Sequence, residues 1–294
     1  MLSGDAPASQ FRTEPETEEP VPVAGVAPAL VPAAARYDLL DLLGRGGTGE
    51  IYKARDSELQ RFVAVKFLRS DHEGAKQRFL QEARAQGRID HENICKVYEV
   101  GELAGRPYIA MELVHGLPLH RVMSQLRVDE KLSILRDTAE ALHAAHRLGI
   151  IHRDVKPSNL LIQRREDGSW RPVLMDFGLA HDVEAEYHLT RTGAVMGTPS
   201  YMAPEQARGD TNNIDRPTDV YSLGATLFDL LTSRPPFVGD SPAEVLLKVV
   251  AEDPPSVRTL QPELPVDLEI IVHKCLHKDP AQRYQSAEEA IDDL

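Results

Sequence analysis

The sequence predicts an α+β protein of two lobes, a small antiparallel β lobe with one main helix and then a larger, mostly helical lobe. Two observations lead to this expectation. Between residues 37 and 113, β-branched and aromatic residues alternate with polar ones along short segments, which is typical of half-buried strands. From Gly116 onwards the apolar residues recur every three or four positions, the period of an amphipathic helix.

Composition sets the outer limits. The 294 residues are 42% hydrophobic and 27% charged, as in an ordinary soluble globular protein, and the formal net charge of −13 disfavours nucleic-acid binding, which needs a basic face. Cys95 and Cys275 have neither metal nor redox spacing and are expected to be buried, reduced thiols. No apolar run approaches the roughly 20 residues of a membrane span. We therefore expect a cytoplasmic protein with no membrane segment in this chain, or the cytoplasmic part of a longer, membrane-anchored one.

The N-terminal region differs from the rest. Residues 1–36 are rich in Pro, Ala and Glu and have few large apolar groups, so we predict a disordered arm, with a docking function as the alternative. One domain is expected over residues 37–294, with its N-lobe at 37–113 and its C-lobe at 114–294.

A glycine-rich stretch, Gly44-Arg45-Gly46-Gly47-Thr48-Gly49, follows the first apolar segment. G-x-G-x-x-G is a weak signal alone, because it also marks plain turns and dinucleotide sites. A dinucleotide fingerprint would open a helix, but strand-like segments follow at 50–55 and 61–68, and no G-K-[ST] follows either. The glycines are therefore predicted to join two antiparallel strands, where backbone N–H groups can approach phosphates. A plain hairpin turn is the alternative.

Lys66 lies in the apolar segment Val63-Ala64-Val65-Lys66, where an inward-pointing ammonium group needs an anion. Glu82, on an amphipathic helix predicted within residues 72–88, is a candidate partner that would orient Lys66 on phosphate oxygens. The alternative is an edge-strand lysine that reaches solvent. Segments 96–100 and 106–113 predict one more strand pair.

The segment His152-Arg153-Asp154-Val155-Lys156-Pro157-Ser158-Asn159 has the H-R-D-x-x-x-x-N spacing associated with phosphoryl transfer to a hydroxyl. A predicted helix that ends near Gly149 precedes it, and the strand pair 160–162 and 173–175 leads to Asp176-Phe177-Gly178. Asp154 is the only carboxylate in the segment and would accept or orient the proton of the attacking hydroxyl. Lys156 can place positive charge near the transferring group, and Asn159 and Asp176 offer hard oxygen ligands for Mg²⁺.

His143 and His146, three residues apart on the predicted helix, are a weaker signal for a metal site. Because no third ligand stands at a suitable spacing, we disfavour metal binding by this pair.

On these motifs, residues 37–294 resemble the eukaryotic-like (Hanks-type) serine/threonine protein kinase domain, most closely its bacterial members. The resemblance implies the bilobal protein kinase fold, ATP as phosphate donor, and Mg²⁺ as the metal, with Mn²⁺ as an alternative. It implies that Lys66, Glu82, Asp154, Lys156 and Asn159 are catalytic and that Asn159 and Asp176 bind the metal. The implied ATP-binding residues are Leu43, Gly44, Arg45, Gly46, Gly47, Thr48, Gly49, Ile51, Ala64, Lys66, Met111, Glu112, Val114 and Leu161.

The resemblance also indicates the acceptor and its control. Lys156-Pro157 and the segment 197–205 are similar to those of kinases that act on Ser or Thr, with Thr198 bonding to Asp154 and Lys156. Thr190 and Thr192 align with autophosphorylated threonines of bacterial relatives, and Arg153 is the expected receiver of their phosphate. Solvated loop hydroxyls are the alternative. The implied partners are protein substrates and a homodimer for trans-autophosphorylation.

Other positions support or modify this picture. Asp219 is at the start of an apolar helix and is expected to accept N–H bonds from the catalytic loop. Arg283 resembles the residue that pairs with Glu205 in the family. Ser241 and Ser286 are predicted to be the N-caps of two later helices. Gln86 stands where relatives in this family usually have an apolar or small residue, and this difference would loosen the helix that carries Glu82. The competing function is a pseudokinase, a nucleotide-binding scaffold without turnover, which would normally lack at least one of the catalytic groups.

Overall fold

The structure is a computed structural model, and it describes residues 36–46, 49–69, 73–103, 105–177 and 199–294. Apart from Arg36, the predicted arm lies outside these residues, and so do Gly47, Thr48 and the stretch 178–198.

The first lobe contains a five-stranded antiparallel sheet in the order β1-β2-β3-β5-β4. The strands are β1 (Tyr37–Arg45), β2 (Gly49–Asp56), β3 (Arg61–Leu68), β4 (Val97–Leu103) and β5 (Arg106–Glu112). The hairpin across the glycine-rich stretch is confirmed, with Arg45 paired to Glu50. β4 is longer than predicted, because pairing with β5 continues to Leu103 opposite Arg106, and Gly105 turns the chain with φ +80°.

Helix α1 (Glu73–Gln86) packs on one face of this sheet, as the spacing of its apolar residues predicts. Phe79 and Ala83 are fully buried and lie in one cluster with Ala64 and Met111 of the sheet. This packing places the helix that carries Glu82 against the strand that carries Lys66.

The second lobe is mostly helical, which confirms the predicted α+β class. Its described helices of four or more residues are α2 (Leu119–Val122), α3 (Val128–Arg147), α4 (Pro204–Ala207), α5 (Arg216–Thr232), α6 (Pro242–Ala251), α7 (Val257–Leu260), α8 (Val266–Cys275) and α9 (Ala287–Asp293). α5 is buried on all sides, as expected for a helix that is apolar all round. The Ser241 and Ser286 hydroxyls accept N–H bonds at the starts of α6 and α9, so both predicted N-caps are confirmed. Within the part of the chain that the structure describes, no helix is both long and apolar enough to cross a membrane.

A second, three-stranded sheet has the order β6-β7-β8, with β6 at Leu117–Pro118, β7 at Leu160–Arg164 and β8 at Trp170–Leu174. Asp167 and Gly168 lie in the turn between β7 and β8, and Gly168 has φ +83°. Trp170 packs against the core of the second lobe, and its Nε1 donates a hydrogen bond to Glu130 Oε1 of α3 at 3.0 Å. This hairpin carries the predicted catalytic residues at its open end.

Candidate active site

The β7–β8 hairpin brings the two central motifs together. In its antiparallel register Leu160 faces Leu174, so the loop that ends at Asn159 and the residues that follow Leu174 leave the sheet side by side. A hydrogen bond from Met175 N to Asn159 O, 2.9 Å long, extends the pairing beyond the strands. Asp176, the next residue, therefore lies beside the predicted catalytic loop.

Within that loop, the Asp154 carboxylate is held by two other predicted catalytic residues. Its Oδ2 accepts a hydrogen bond from Asn159 Nδ2 at 2.8 Å and lies 2.8 Å from Lys156 Nζ. Asn159 Nδ2 also donates to the Asp154 carbonyl at 2.9 Å. The Asp154 side chain is 27% exposed and that of Lys156 18% exposed, so a substrate can reach both. A carboxylate with these charge-assisted bonds has a defined direction and can orient a hydroxyl.

Lys66 forms an ion pair with Asp176. Lys66 Nζ lies 2.7 Å from Asp176 Oδ1, and the lysine side chain is 2% exposed while that of Asp176 is 30% exposed. The prediction of an inward-pointing lysine is therefore confirmed, and the solvent-exposed alternative is wrong. Lys66 is the sixth of the eight residues of β3, which has the predicted range 61–68. Asp176 has φ +56°, an uncommon conformation for a non-glycine residue that often marks functional sites.

Two residues of α1 were singled out by the sequence. Glu82 is half-buried on α1, and its pairing with Lys66 stays a prediction. Gln86 is 2% exposed, and its Nε2 donates to the Cys95 carbonyl at 2.9 Å. This bond ties the end of α1 to the segment before β4; the predicted effect of Gln86 on activity stays a prediction. Cys95 is itself fully buried, and burial raises the pKa of its thiol, as expected of an unreactive cysteine.

The predicted nucleotide-binding residues line up across the first sheet and the hairpin. Strand register sets Ile51 opposite Lys66 and Ala64 opposite Met111. Those in described positions are distributed as follows: Leu43, Gly44 and Arg45 at the end of β1, Gly46 after it, Gly49 and Ile51 in β2, Ala64 in β3, Met111 and Glu112 in β5, Val114 beyond β5, and Leu161 in β7.

The glycines between β1 and β2 are present for different reasons. A Cβ atom on Gly49 would stand 2.0 Å from the Phe67 carbonyl oxygen, so close pairing with β3 excludes any side chain there. At Gly44 and Gly46, apart from the glycine itself and its two chain neighbours, no atom of the described residues lies within 4 Å of the position that a Cβ would take. Packing thus accounts for Gly49 alone, and the open space at the other two is compatible with the approach of a phosphate.

Asp219, at the start of α5, holds the catalytic loop by accepting hydrogen bonds from its backbone N–H groups, as predicted. This fully buried carboxylate accepts hydrogen bonds from His152 N at 2.8 Å and Arg153 N at 2.7 Å. His146 Nε2 is a third partner, at 2.8 Å. Burial acts to raise the pKa of Asp219, but the bonds from His146 and His152 outweigh it and hold the pKa below its usual range. The sequence did not indicate this role for His146. Its three-residue spacing from His143 had suggested only a weak candidate metal site.

His152 links the catalytic loop to the residues that follow β8. Its Nδ1 accepts a hydrogen bond from Asp154 N at 3.1 Å, and its Nε2 lies 2.9 Å from Met175 O, so the proton resides on Nε2. Burial lowers the pKa of His152, which keeps the ring neutral. The ring also contacts Phe177, with centroids 4.6 Å apart. The only sign of this role in the sequence was the position of His152 at the head of the motif.

The remaining predicted site residues fall into two groups. Thr190, Thr192 and Thr198 lie outside the described residues, so their contacts with Arg153, Asp154 and Lys156 stay predictions. Glu205 and Arg283 form the predicted ion pair, with two N–O distances of 2.8 Å. Burial acts to raise the pKa of Glu205, but Arg283 outweighs this effect and lowers the pKa.

Comparison with known proteins agrees with this geometry. The protein kinase domain family matches residues 37–293, and the chain belongs to this family. Serine/threonine-protein kinase PknB of Mycobacterium leprae is 42% identical over 269 residues, which cover 88% of this chain and 42% of PknB. A probable serine/threonine-protein kinase PknB of Lactococcus lactis is 39% identical over 268 residues, covering 89% of this chain and 42% of that protein. The chain thus spans less than half the length of these relatives.

Solved structures show the same fold. The crystal structure of the PknI kinase domain of Mycobacterium tuberculosis superimposes with a TM-score of 0.71 at 29% identity, over 92% of this chain and 98% of that chain. Rad53 1-466 in complex with AMP-PNP also has a TM-score of 0.71, over 87% of this chain and 64% of that chain, but at 23% identity it supports the fold alone. The predicted resemblance and the bilobal kinase fold are confirmed.

Proposed function

We propose that the chain transfers the γ-phosphate of ATP to serine and threonine hydroxyls of proteins, including its own Thr190 and Thr192. One observation carries the proposal: the β7–β8 pairing sets Asp154, with its partners Lys156 and Asn159, beside the Lys66–Asp176 ion pair. Phosphoryl transfer to a hydroxyl needs a carboxylate that can orient the hydroxyl and a cation that can bind phosphate.

The residues of the site suit ATP and Mg²⁺. Asn159 directs its amide nitrogen to Asp154, which turns its amide oxygen away from that carboxylate. This oxygen and the Asp176 carboxylate are hard ligands of the kind that Mg²⁺ prefers, and Mn²⁺ accepts the same donors. Bound magnesium and ATP supply the transferable group and neutralise charge that develops on it.

Each side chain then has a distinct task. Lys66 would bind the phosphate oxygens, and Glu82 would hold it in that position. Asp154 orients the acceptor hydroxyl and accepts its hydrogen bond. Lys156 lies 2.8 Å from that carboxylate and stabilises charge between acceptor and phosphate. Asp219 and His152, through the bonds described above, keep the loop in place, so catalysis consists mainly of positioning.

Acceptor and regulation follow from the activation segment. Lys156-Pro157 and the segment 197–205 support a Ser/Thr acceptor, with Thr198 bonded to Asp154 and Lys156. Phosphate on Thr190 or Thr192 adds about −1.5 to −2 charges, and the exposed Arg153 is the proposed receiver of this charge. A transient homodimer in the cytoplasm would allow one copy to phosphorylate another.

A phosphorylation assay tests the function. The purified chain is incubated with magnesium and ATP, and phosphate on it and on a generic Ser/Thr-containing acceptor protein is measured by mass spectrometry. We expect transfer to both, and its loss in D154N. As a matched control, D167N removes a carboxylate from the β7–β8 turn and keeps the activity. A wild-type chain that binds the nucleotide in a thermal-shift assay but transfers no phosphate would instead support the scaffold alternative.

A further inference from the structure

Gln206 connects the catalytic loop to the short helix α4, although no motif in the sequence marks it. Its side chain is 5% exposed. Its Nε2 donates a hydrogen bond to the Arg153 carbonyl at 2.8 Å, and its Oε1 accepts one from Ala203 N at 3.1 Å. A glutamine amide has one donor end and one acceptor end, and these two contacts match the two ends, which favours this orientation of the amide.

The peptide group between Arg153 and Asp154 is held at both ends. Its carbonyl oxygen accepts the bond from Gln206, and its N–H donates to His152 Nδ1 at 3.1 Å. Because a peptide group is planar, holding its oxygen and its hydrogen restricts its rotation about the axis through the two Cα atoms. That plane determines the direction in which the Asp154 side chain leaves the backbone.

The backbone at this point needs such support. Arg153 has φ +68°, a left-handed conformation that is unfavourable for a residue with a Cβ and persists where surrounding contacts hold it. Asp219 Oδ1 binds the N–H of Arg153 at 2.7 Å, and Gln206 binds its carbonyl. Side chains from two helices, α5 and α4, thus hold the two polar backbone groups of the strained residue.

Helix α4 is itself firmly anchored. Glu205, next to Gln206, forms the buried ion pair with Arg283 and accepts a hydrogen bond from Thr218 Oγ1 at 2.8 Å. α4 begins within the proposed acceptor-binding segment 197–205, because its first two residues are the last two of that segment. Gln206 therefore joins the acceptor side of the site to the loop that carries Asp154.

We propose that Gln206 is a positioning residue for Asp154, which fixes the Arg153–Asp154 peptide through its amide and so sets the direction of the Asp154 carboxylate. This inference rests on the proposed phosphotransferase function. Gln206 acts through the loop and makes no contact with the reacting atoms, so its loss slows the transfer step and leaves nucleotide binding intact.

The first test is Q206M, which keeps the length of the side chain but removes the hydrogen bonds to the Arg153 carbonyl and from Ala203 N. We expect kcat to fall about tenfold, which corresponds to about 1.4 kcal/mol at 25 °C. KM for magnesium-bound ATP should stay within about twofold, because Lys66 and Asp176 are untouched. The control is Q285M, which removes an amide that donates to backbone carbonyls of Pro280 and Arg283, remote in sequence from the loop. Q285M should keep the wild-type kcat.

The second test is Q206E, measured well below its unfolding temperature. An ionised carboxylate can accept from Ala203 N but cannot donate to the Arg153 carbonyl, whereas a protonated carboxyl group can do both. The rate relative to wild type should therefore rise as the pH falls from about 8 to about 5.5, through the range of a buried carboxyl group. A side chain that only stabilised the fold would give a ratio that does not depend on pH.

The inference is overturned if Q206M keeps the wild-type kcat, if Q285M loses as much activity, or if the Q206E ratio is flat across this pH range. A wild-type chain without transferase activity would contradict the proposed function instead, so the two failures are distinguishable.

Discussion

Lys66 Nζ lies 2.7 Å from Asp176 Oδ1, and this ion pair joins two residues that are 110 positions apart in the sequence. It connects β3 in the first lobe to Asp176, two residues beyond the β7–β8 hairpin, in the second. Both partners are proposed ligands of the nucleotide and its metal. Magnesium and ATP, bound as proposed, would lie beside both partners of this pair.

The first prediction concerns Lys66. K66M should lower kcat by about 10²- to 10³-fold, because it removes a cation that stabilises charge on the transferring group. A methionine suits the buried, apolar surroundings of the lysine stem, so the unfolding temperature should change little. The control is K53M on β2, where the ammonium group lies 4.8 Å from the centre of the Phe62 ring. Retention of more than half of the wild-type rate by K66M would contradict the role of Lys66.

The second prediction concerns activation. The double variant T190A/T192A should have a lower rate than the phosphorylated wild type and resemble wild type treated with a phosphatase. Phosphate on this loop would pair with Arg153, so in R153M phosphatase treatment should make little difference to the rate. The readout is the rate ratio of phosphorylated to dephosphorylated enzyme. Activation by these threonines is ruled out if the fully dephosphorylated double variant keeps the wild-type rate.

The third prediction concerns the buried ion pair of Glu205 and Arg283, whose side chains are 4% and 0% exposed. R283M should destabilise the fold by about 3–5 kcal/mol, because it leaves Glu205 charged and buried without its partner. E205Q/R283M should recover most of this loss. For comparison, R165M breaks a pair with the exposed Glu92, which should change stability by about 0–1 kcal/mol. Urea denaturation measures the free energy of unfolding of all three variants. A decrease below about 1 kcal/mol in R283M would show that the pair is unimportant for stability.

The fourth prediction concerns pH. The hydrogen-bonded Arg36 guanidinium lowers the pKa of Asp56 from 3.8 to about 2. A carboxyl group with a lower pKa in the folded state adds stability above its unfolded pKa and loses it as the pH falls through the folded one. The stability advantage of wild type over D56N should be constant above about pH 5 and shrink from there towards pH 2. An advantage that stays constant down to pH 3 would show that the Asp56 charge does not contribute.

Much of the fold followed from local sequence. The glycines between β-branched segments indicated a strand hairpin, and the amphipathic pattern of residues 72–88 indicated a helix with one buried face. The strand ends were less accurate: β4 and β7 continue beyond the predicted segments, because ladder pairing with a neighbouring strand extends them through polar residues. Pairing of this kind depends on the partner strand and leaves a weak local signal.

The sequence alone also determined the chemistry of the site, because motif spacing defines which acid, amide and cation stand on one loop. Only the tertiary structure decided which distant groups hold them. Asp176 pairs with Lys66, His146 reaches Asp219 from 73 positions away, and Gln206 reaches Arg153 from 53 positions away. These contacts arise when helices and sheets pack and bring loop ends together. Periodicity and spacing report what a segment can form, whereas a hydrogen bond between segments depends on where the rest of the chain places its partner.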